Sequence, residues 1–151
     1  MEIRLAKTSD VNEILKLGNL VEEFKVSKKV VTFWPKKILL NIIKSKFDFL
    51  IVAEESNEIK GFIIVNFSPV FKKATIENIF VVKEFRGKKL AEKLLSSAIK
   101  ELKKLKCEYV CSIVETDNPK SMKFFKKSDF NRGIDCVWMD KVLSSSFKEK
   151  Y

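Results

Sequence analysis

Hydrophobic positions along the chain follow two periods, the alternation typical of strands and the spacing of about 3.6 residues typical of helices. Alternation or a short apolar run predicts strands at residues 2–5, 48–54, 61–67, 74–82, 108–114 and 134–143. Helical spacing predicts helices at residues 11–25, along the face Ile38, Leu39, Ile42 and Ile43 after Trp34-Pro35, at 90–105 and at 118–127. This order of elements is typical of an α+β domain with a mixed sheet.

Turn and cap residues set several of these boundaries. Thr8 and Asp10 are N-cap residues before the first helix, and a polar hairpin at residues 56–58 separates two apolar strands. Asn118 followed by Pro119 is a helix start signal. Because the chain has no repeat, linker or low-complexity segment, residues 1–151 are predicted to form one domain, with 144–151 as a frayed tail.

Composition narrows the class of protein. The 151 residues are 46% hydrophobic and carry a net charge of +10, but only Arg4, Arg86 and Arg132 are arginine. Base readout usually relies on arginine forks, so no nucleic-acid partner is expected, although a basic nucleic-acid module is kept as an alternative. No apolar run reaches membrane-spanning length and no signal peptide is recognised, so we expect a cytoplasmic protein without a membrane partner.

The content of histidine and cysteine limits the chemistry. The chain has no His, which removes the usual base at neutral pH and every triad built on His. Cys107, Cys111 and Cys136 lack Cys-x-x-Cys spacing, so we expect neither a disulfide framework nor a metal site. Cys107 and Cys111 are expected on one face of a strand as buried residues, and a covalent route through Cys111 is a minor alternative.

The stretch VVKEFRGKKLAEKLL, from Val81 to Leu95, leads from a strand end through an Arg-Gly turn into a Lys-rich helix. A helix start offers unpaired N–H groups and a partial positive charge, and Gly87 allows a ligand to approach the backbone closely. Arg86, Lys88 and Lys89 add charge. On its own this pattern fits either a solvated basic turn or a phosphate cradle.

Two motifs resemble the GNAT superfamily of N-acetyltransferases and favour the cradle. The run RGKKLA at residues 86–91 resembles the acyl-CoA motif Arg/Gln-x-x-Gly-x-Gly/Ala, which follows a strand ending in valine, here Val81. NPKSMKFFKKSDF at residues 118–130 resembles Asn-x-x-Ala-x-x-Leu-Tyr-x-x-x-Gly-Phe. The order of elements is similar as well. The resemblance implies a GNAT-type α/β/α fold with a mixed, mostly antiparallel central sheet, splayed between its fourth and fifth strands.

The same resemblance implies an enzyme, an acetyl-CoA-dependent N-acetyltransferase, with acetyl-CoA as cosubstrate and no metal. The cosubstrate would lie between strands 74–82 and 108–115, its pantetheine arm paired with strand backbone and its pyrophosphate held by N–H groups at the helix start. The implied binding residues are Ile79, Phe80, Val81, Arg86, Gly87, Lys88, Lys89, Leu90, Ala91, Glu92, Asn118 and Ser121.

Glu77 and Asn118 are the implied catalytic residues. Glu77 in ENIFV resembles the acidic position of polyamine and thialysine acetyltransferases (Glu-Asp-hydrophobic-hydrophobic-Val), and it would act as a base through water. Asn118 would bind the pantetheine or an active-site water. A surface glutamate is the open alternative for Glu77. Strand parity predicts Thr75, Glu77 and Ile79 on one face, with 78 and 80 on the other.

Two departures from the motifs matter for binding and catalysis. Lys89 stands where glycine is usual, and we expect its ammonium to contact a phosphate. Phe125 stands at the position of a tyrosine that commonly protonates the departing thiolate, and a phenyl ring has no proton to give. A general acid is worth ~10²–10⁴ in rate, so activity is expected to be weakened unless Tyr109, Ser121 or Tyr151 replaces it.

The acceptor is left open among a small amine or polyamine, a protein N-terminus and a lysine. The likeness around Glu77 favours a small amine, whereas the charge of +10 disfavours a polycation unless acidic residues gather at the cleft mouth. The candidates for that acidic patch are Glu22, Glu23, Glu115 and Asp117. The alternative function is a degenerate GNAT-fold protein that binds acyl-CoA with weak or no turnover. A homodimer is compatible with the sequence.

Overall fold

The computed structural model describes residues 1–21, 24, 33–137, 139, 141 and 143 of the chain. Its strands are β1 (Glu2–Leu5), β2 (Phe49–Glu55), β3 (Glu58–Ser68), β4 (Lys73–Val81) and β5 (Tyr109–Ser112). Its α-helices are α1 (Val11–Gly18), α2 (Lys36–Lys44), α3 (Leu90–Lys104) and α4 (Pro119–Lys127). The predicted α+β class is confirmed.

The described strands form one mixed sheet in the order β1-β2-β3-β4-β5. The pairs β1–β2, β2–β3 and β3–β4 are antiparallel, and only β4–β5 is parallel. Helix α3 covers one face together with Phe125 of α4, while α1 and α2 cover the other. Residues 49–53 of β2 are buried in succession because both faces of the sheet are covered, which explains their unbroken apolar run.

Helix α3 crosses the sheet closely at Gly61. A Cβ atom at this position would lie 2.6 Å from the carbonyl oxygen of Phe80 and 3.1 Å from the side chain of Leu94. Only a residue without a side chain therefore fits between β4 and α3. This packing, with Leu94 fully buried, fixes the beginning of α3 near the end of β4.

Strands β4 and β5 separate halfway along β4. They pair from Lys73 opposite Tyr109 to Ile76 opposite Ser112, and residues 77–81 have no partner on β5. The predicted splay between the fourth and fifth strands is therefore confirmed. It leaves the second half of β4 as an open edge that leads directly towards the turn before α3.

The first helix is shorter than predicted. Helix α1 ends at Gly18 rather than near residue 25, and the backbone of Val21 and of Phe24 continues in turns. Gly18 and Asn19 are weak helix formers. The Asn19 side chain instead accepts a hydrogen bond from the N–H of Phe33 at 3.3 Å, which ties the chain to the next segment. Positions 22, 23 and 25 of the predicted helix lie outside the described residues.

The predicted last strand is wrong in its described part. Residues 134–137, 139, 141 and 143 belong to no strand, and the side chains of Ile134, Val137, Met139 and Leu143 are exposed. Alternation of side chains does not by itself form a strand, because the backbone also needs a hydrogen-bonded neighbour. Positions 138, 140 and 142, and the predicted tail 144–151, lie outside the described residues.

The strand β5 is also shorter than predicted. It begins at Tyr109, so Cys107 precedes it and does not share a strand face with Cys111. All three cysteines are free, and Cys136 is exposed. Among the helices of the described residues, none has the length and apolar character needed to cross a membrane.

Candidate active site

A β-bulge at Glu77 determines on which face of the sheet the side chains of the open half of β4 lie. Asn78 pairs with Ile64 of β3, and Ile76 pairs with Val65, so Glu77 is the extra residue. Ile76 and Ile79 both pack on the α3 side of the sheet. The predicted parity, with 77 and 79 on one face, is therefore wrong, because the extra residue shifts the alternation.

The bulge brings Glu77 to the side of the sheet that α2 covers. Its Oε1 accepts a hydrogen bond from Nδ2 of Asn66 at 3.1 Å, and the side chain remains exposed. Partial removal of water by the surrounding protein raises the pKa of Glu77 above its ordinary value of 4.5, and the charge of Asp48 adds to this rise. The hydrogen bond from Asn66 acts in the opposite direction. A carboxylate with a raised pKa is a stronger base.

The backbone of β4 turns alternate residues towards the open edge. The N–H of Val82 donates to the carbonyl oxygen of Lys60 at 2.9 Å, so by the alternation of antiparallel pairs Phe80 also directs its backbone at β3. The backbone groups of Ile79 and Val81 consequently face the open edge. The phenyl ring of Phe80 is buried against Phe62, with ring centroids 5.4 Å apart.

The turn before α3 has two residues in the left-handed region. Gly87 has a φ of +75°, and no atom lies within 4 Å of the place where its Cβ would be. Lys89 has a φ of +59° and a ψ of +20° directly before the first helical residue, Leu90. Glycine is usual at this motif position because the backbone is left-handed, a conformation that costs other residues about 1–2 kcal/mol.

Several N–H groups of this turn lack an internal acceptor. Those of Gly87, Lys89, Leu90, Ala91 and Glu92 make no hydrogen bond to any described residue, whereas Lys93 donates to Lys89 at 3.1 Å. Unpaired N–H groups at a helix N-terminus, with its partial positive charge, are a favourable seat for an anion.

Charged side chains surround the same turn. Nε of Arg86 donates to the carbonyl oxygen of Val81 at 3.0 Å, which ties the turn to the end of β4. Nζ of Lys88 lies 5.0 Å from the centroid of the Phe85 ring, and the side chains of Lys88 and Lys89 are exposed. Positive charge is therefore available beside the unpaired N–H groups.

Asn118 begins α4, as predicted. Its Oδ1 accepts a hydrogen bond from the N–H of Ser121 at 3.1 Å, and Pro119 occupies the first helical position. This bond uses the side-chain oxygen and leaves the two amide hydrogens of Asn118 for other acceptors. Both residues are half-buried.

Phe125 is a core residue. Its side chain is 8% exposed, and its ring centroid lies 5.1 Å from those of Phe124 and Phe130. The helix ends with the N–H of Phe130 donating to the carbonyl oxygen of Phe125 at 3.0 Å, and Asp129 has a φ of +63°. Asp129 occupies the position where the motif has glycine. Its backbone is left-handed, the conformation that glycine adopts most readily, which explains why the motif has glycine there.

The residues suggested as a replacement acid lie in different places. Tyr109 pairs with Lys73 at the closed end of the β4–β5 ladder, about 10 Å along the strand from Ser112. Ser121 lies beside Asn118, and Tyr151 is outside the described residues. Sequence reasoning missed Ser112, whose hydroxyl donates to the carbonyl oxygen of Ile76 at 3.0 Å, where the strands separate.

Cys111 takes part in ordinary strand contacts. Its sulfur lies 3.6 Å from the carbonyl oxygen of Ala74 and 3.8 Å from Oγ1 of Thr75, one row before the strands separate. No group of His, Cys, Asp and Glu suited to a metal ion occurs within the described ranges. Nothing in these contacts favours the covalent route through Cys111.

A cavity of about 790 Å³, here named the α2 groove, runs between α2 and the strands β3 and β4. The polar and aromatic residues that line it include Trp34, Asn41, Ser45, Asp48, Asn66 and Thr75. Nε1 of Trp34 donates to Oδ1 of Asn78 at 2.6 Å. Asn66 lines the α2 groove and also bonds to Glu77, so this residue links the groove to the candidate base.

The carboxylate that lines the α2 groove is not one of the four acidic residues predicted for the cleft mouth. Glu115 and Asp117 are exposed after β5, and Glu22 and Glu23 lie outside the described residues. Asp48 lines the α2 groove instead. Only weak features of the sequence mark these lining residues. Asp48 is a single acidic residue before a buried strand, and Trp34 is a tryptophan before a helix start.

Comparison with known proteins identifies a matching family. The model of the acetyltransferase (GNAT) family matches residues 18–130, which include the open half of β4, the turn before α3 and all of α4. No curated protein matches the chain in sequence.

Several solved structures resemble the chain in fold. An aminoglycoside N-acetyltransferase in complex with CoA is 15% identical, with a TM-score of 0.76 and coverage of 93% of this chain and 99% of that one. An aminoglycoside 6'-N-acetyltransferase from Acinetobacter haemolyticus is 16% identical, with a TM-score of 0.76 and coverage of 95% and 100%. A transcriptional regulator from Bacillus halodurans is 22% identical, with a TM-score of 0.75 and coverage of 93% and 99%. At these identities the likeness shows the fold alone.

Proposed function

Because the chain belongs to the acetyltransferase (GNAT) family, we propose that it transfers an acetyl group from acetyl-CoA directly to the nitrogen of a primary amine. One observation carries this proposal. The half of β4 that lies beyond β5 forms an open edge, and this edge leads to a turn with unpaired N–H groups. An elongated ligand with a polar arm and a pyrophosphate fits these two features together.

In this proposal the acetyl-CoA site follows the open edge of β4. The backbone groups of Ile79 and Val81 pair with the amides of the pantetheine arm. The N–H groups of Gly87 and of residues 89–92 bind the pyrophosphate, and Arg86 and Lys88 contribute positive charge. Phe80 contributes by packing rather than through its backbone, since its carbonyl and N–H face β3.

Glu77 serves as the base in the proposed reaction. An alkylamine is protonated near neutrality, so its ammonium must lose a proton before the nitrogen can attack. Glu77 takes that proton, directly or through a water molecule, and its raised pKa makes it better suited than an ordinary glutamate. The freed nitrogen then bonds to the acetyl carbon while the carbon–sulfur bond breaks, and the sulfur leaves with the electron pair. The nitrogen releases its surplus proton to water or to the departing thiolate, which leaves a neutral amide.

The departing sulfur receives no proton from Phe125, which is buried among aromatic rings. A thiol of this kind titrates near 8.5, so its thiolate is a tolerable leaving group without an acid. The loss of a general acid is worth ~10²–10⁴ in rate. Turnover is accordingly expected to be slow and to respond to a restored hydroxyl.

A screen of amines tests the proposal. The purified protein is incubated with acetyl-CoA and single amines, namely alkylamines, diamines, amino acids, aminoglycosides and a lysine peptide, while released CoA thiol is measured. Aminoglycosides belong in the panel because two of the similar structures are aminoglycoside acetyltransferases. At least one amine should give release above the rate without amine. Release that no amine stimulates contradicts the proposal.

The second candidate function is acyl-CoA binding with little or no turnover, and it is favoured because Phe125, at the position of the usual acid, has no proton to donate. Calorimetry with acetyl-CoA and the thiol-release assay distinguish the two candidates. Binding without release, in both the natural chain and Phe125→Tyr, favours the binding protein. Release by Phe125→Tyr that exceeds release by the natural chain favours the enzyme.

A further inference from the structure

We propose that the α2 groove is the acceptor site and that it selects a compact primary amine carrying a second cationic group. That the primary amine is the end of the ligand that reacts rests on the proposed acetyl transfer. The ligand class rests on three features of the groove itself, which are its connection to Glu77, the aromatic side chain at one end and the carboxylate of Asp48.

Asn66 connects the groove to the candidate base. Its side chain lines the groove and donates to Glu77 at 3.1 Å. An amine that enters along α2 therefore reaches Glu77 from the face of the sheet opposite α3. The acceptor and the open edge of β4 then meet at the bulge, as a direct transfer requires.

Trp34 forms a fixed aromatic side of the groove. Its indole N–H bonds to Oδ1 of Asn78, the residue that follows Glu77, and the side chain is half-buried. This bond ties the segment before α2 to the bulged part of β4. An indole held in this way offers apolar surface to a methylene stem and attracts a nearby ammonium.

Asp48 is placed to bind a second cation. Its Oδ1 accepts from the N–H of Phe67 at 3.0 Å, and its Oδ2 accepts from Oγ of Ser45 at 3.3 Å. These bonds hold the carboxylate, while each oxygen keeps a lone pair for an ammonium. Asp48 lies directly before β2 and Glu77 lies on β4, so β3 separates them by two strand spacings, or about 10 Å.

Lys73 disfavours a cationic group at the hairpin end of the groove. It lines the groove at the hairpin end, and its Nζ lies 5.8 Å from the centroid of the Tyr109 ring. A cationic group placed at this end of the groove would be repelled by Lys73. A diamine that spans from Glu77 to Asp48 places neither of its cations there.

The closing experiment compares 1,5-diaminopentane with pentylamine, two amines of the same stem that differ in one cationic group. The ratio of kcat/KM values, diamine to monoamine, should be about ten or more in the natural chain, as expected for one ammonium–carboxylate bond. In Asp48→Asn the ratio should fall to near one. The variant keeps Oδ1 as an acceptor for Phe67, so the fold is preserved.

The control removes a carboxylate far from the groove. Glu58 lies at the β2–β3 hairpin and pairs with Lys60, so Glu58→Gln should leave the ratio unchanged. A ratio near one in the natural chain, or an unchanged ratio in Asp48→Asn, overturns the proposed ligand class.

Calorimetry in the presence of CoA separates this inference from the proposed function. Diamine binding about tenfold tighter than pentylamine binding, lost in Asp48→Asn, supports the ligand class even when no amine is acetylated. Absence of diamine binding overturns the ligand class. Acetylation of pentylamine and diamine at equal efficiency overturns the ligand class and leaves acetyl transfer intact.

Discussion

Glu77 owes its position to one extra residue in β4. Without the bulge, strand parity would place this carboxylate on the same face as Ile79, which packs in the apolar layer under α3. Burial of an unpaired, charged carboxylate in an apolar layer would destabilise the fold by roughly several kcal/mol. The bulge therefore converts a residue that strand alternation would bury into a candidate base at the side of an open cleft.

This position predicts the pH dependence of transfer. Only the deprotonated Glu77 accepts a proton, so kcat/KM should decrease as the pH falls through the pKa of Glu77. Because that pKa is raised, the acid limb should lie above the ordinary value of 4.5. Glu77→Gln should remove this limb and reduce kcat/KM by ~10²–10⁴. An identical limb in Glu77→Gln would assign the titration to another group.

Substitutions of Lys89 test whether a left-handed backbone is the reason that the motif usually has glycine at this position. Its φ of +59° favours glycine, so Lys89→Gly should be more stable than Lys89→Ala. We expect a difference in the free energy of unfolding of about 1 kcal/mol, measured by chemical denaturation. Equal stability of the two variants would contradict a left-handed backbone at this position.

At the start of α4, the side chain of Asn118 has a structural role and a proposed functional role that different substitutions can separate. Its side-chain oxygen caps the helix by accepting from Ser121, and its amide hydrogens remain for a ligand. Asn118→Asp keeps the oxygen and removes these donors, whereas Asn118→Ala removes both. Asn118→Ala should cost ~0.5–2 kcal/mol of stability, and Asn118→Asp much less.

The same two variants should respond differently in catalysis. If the amide donors bind acetyl-CoA or a water molecule at the reacting centre, Asn118→Asp will lower transfer while thermal unfolding is unchanged. Transfer that survives in Asn118→Asp would limit Asn118 to its role as a helix cap. Thermal denaturation and the thiol-release assay on the same preparations check both outcomes.

Local signals predicted most elements, and long-range contacts decided the rest. The Asn118–Pro119 start and the polar hairpin at 56–58 lie within a few residues of what they control, so the sequence revealed them. The bulge depends on the register with β3, and a residue's own strand carries no trace of that register. Asp48 and Asn66 meet across the sheet although 18 residues of sequence separate them, so neither stood out alone.

At the scale of the whole molecule, Arg4 ties the first strand to the rest of the domain. Its guanidinium bonds to Asp10 at 2.7 and 3.1 Å and to Glu54 of β2 at 2.8 Å. Burial alone would raise the pKa of Asp10, but the hydrogen bonds from Arg4 and from the N–H of Lys7 outweigh it and lower this pKa below 3.8. Through Asp10 and Glu54, Arg4 joins β1 to the turn before α1 and to β2.

This ion pair predicts a loss of stability in acid. A carboxyl group whose pKa is lowered on folding stabilises the protein above its unfolded pKa, and the contribution disappears as the pH falls through the folded pKa. Stability should therefore decrease below about pH 4. Asp10→Asn should cost roughly 1–3 kcal/mol at neutral pH and make the acid region flatter.

A matched pair elsewhere provides the control for Asp10. Arg132 and Asp135 are bonded at 2.8 Å, but both side chains are 72% exposed. Asp135→Asn should therefore leave the free energy of unfolding almost unchanged, because water screens an ion pair this exposed. Similar losses in both variants would mean that the Arg4 pair is no more important than a surface ion pair.

Transfer of an acetyl group from acetyl-CoA to an amine is tested by counting the acetylated product. The natural chain is incubated with acetyl-CoA and 1,5-diaminopentane, and N-acetylated amine and released CoA are quantified together by mass spectrometry. We expect one acetylated amine for each CoA released, faster product formation in Phe125→Tyr, and little product in Glu77→Gln. Bound acetyl-CoA with no acetylated amine in the natural chain or in Phe125→Tyr, across the amine panel, would contradict it.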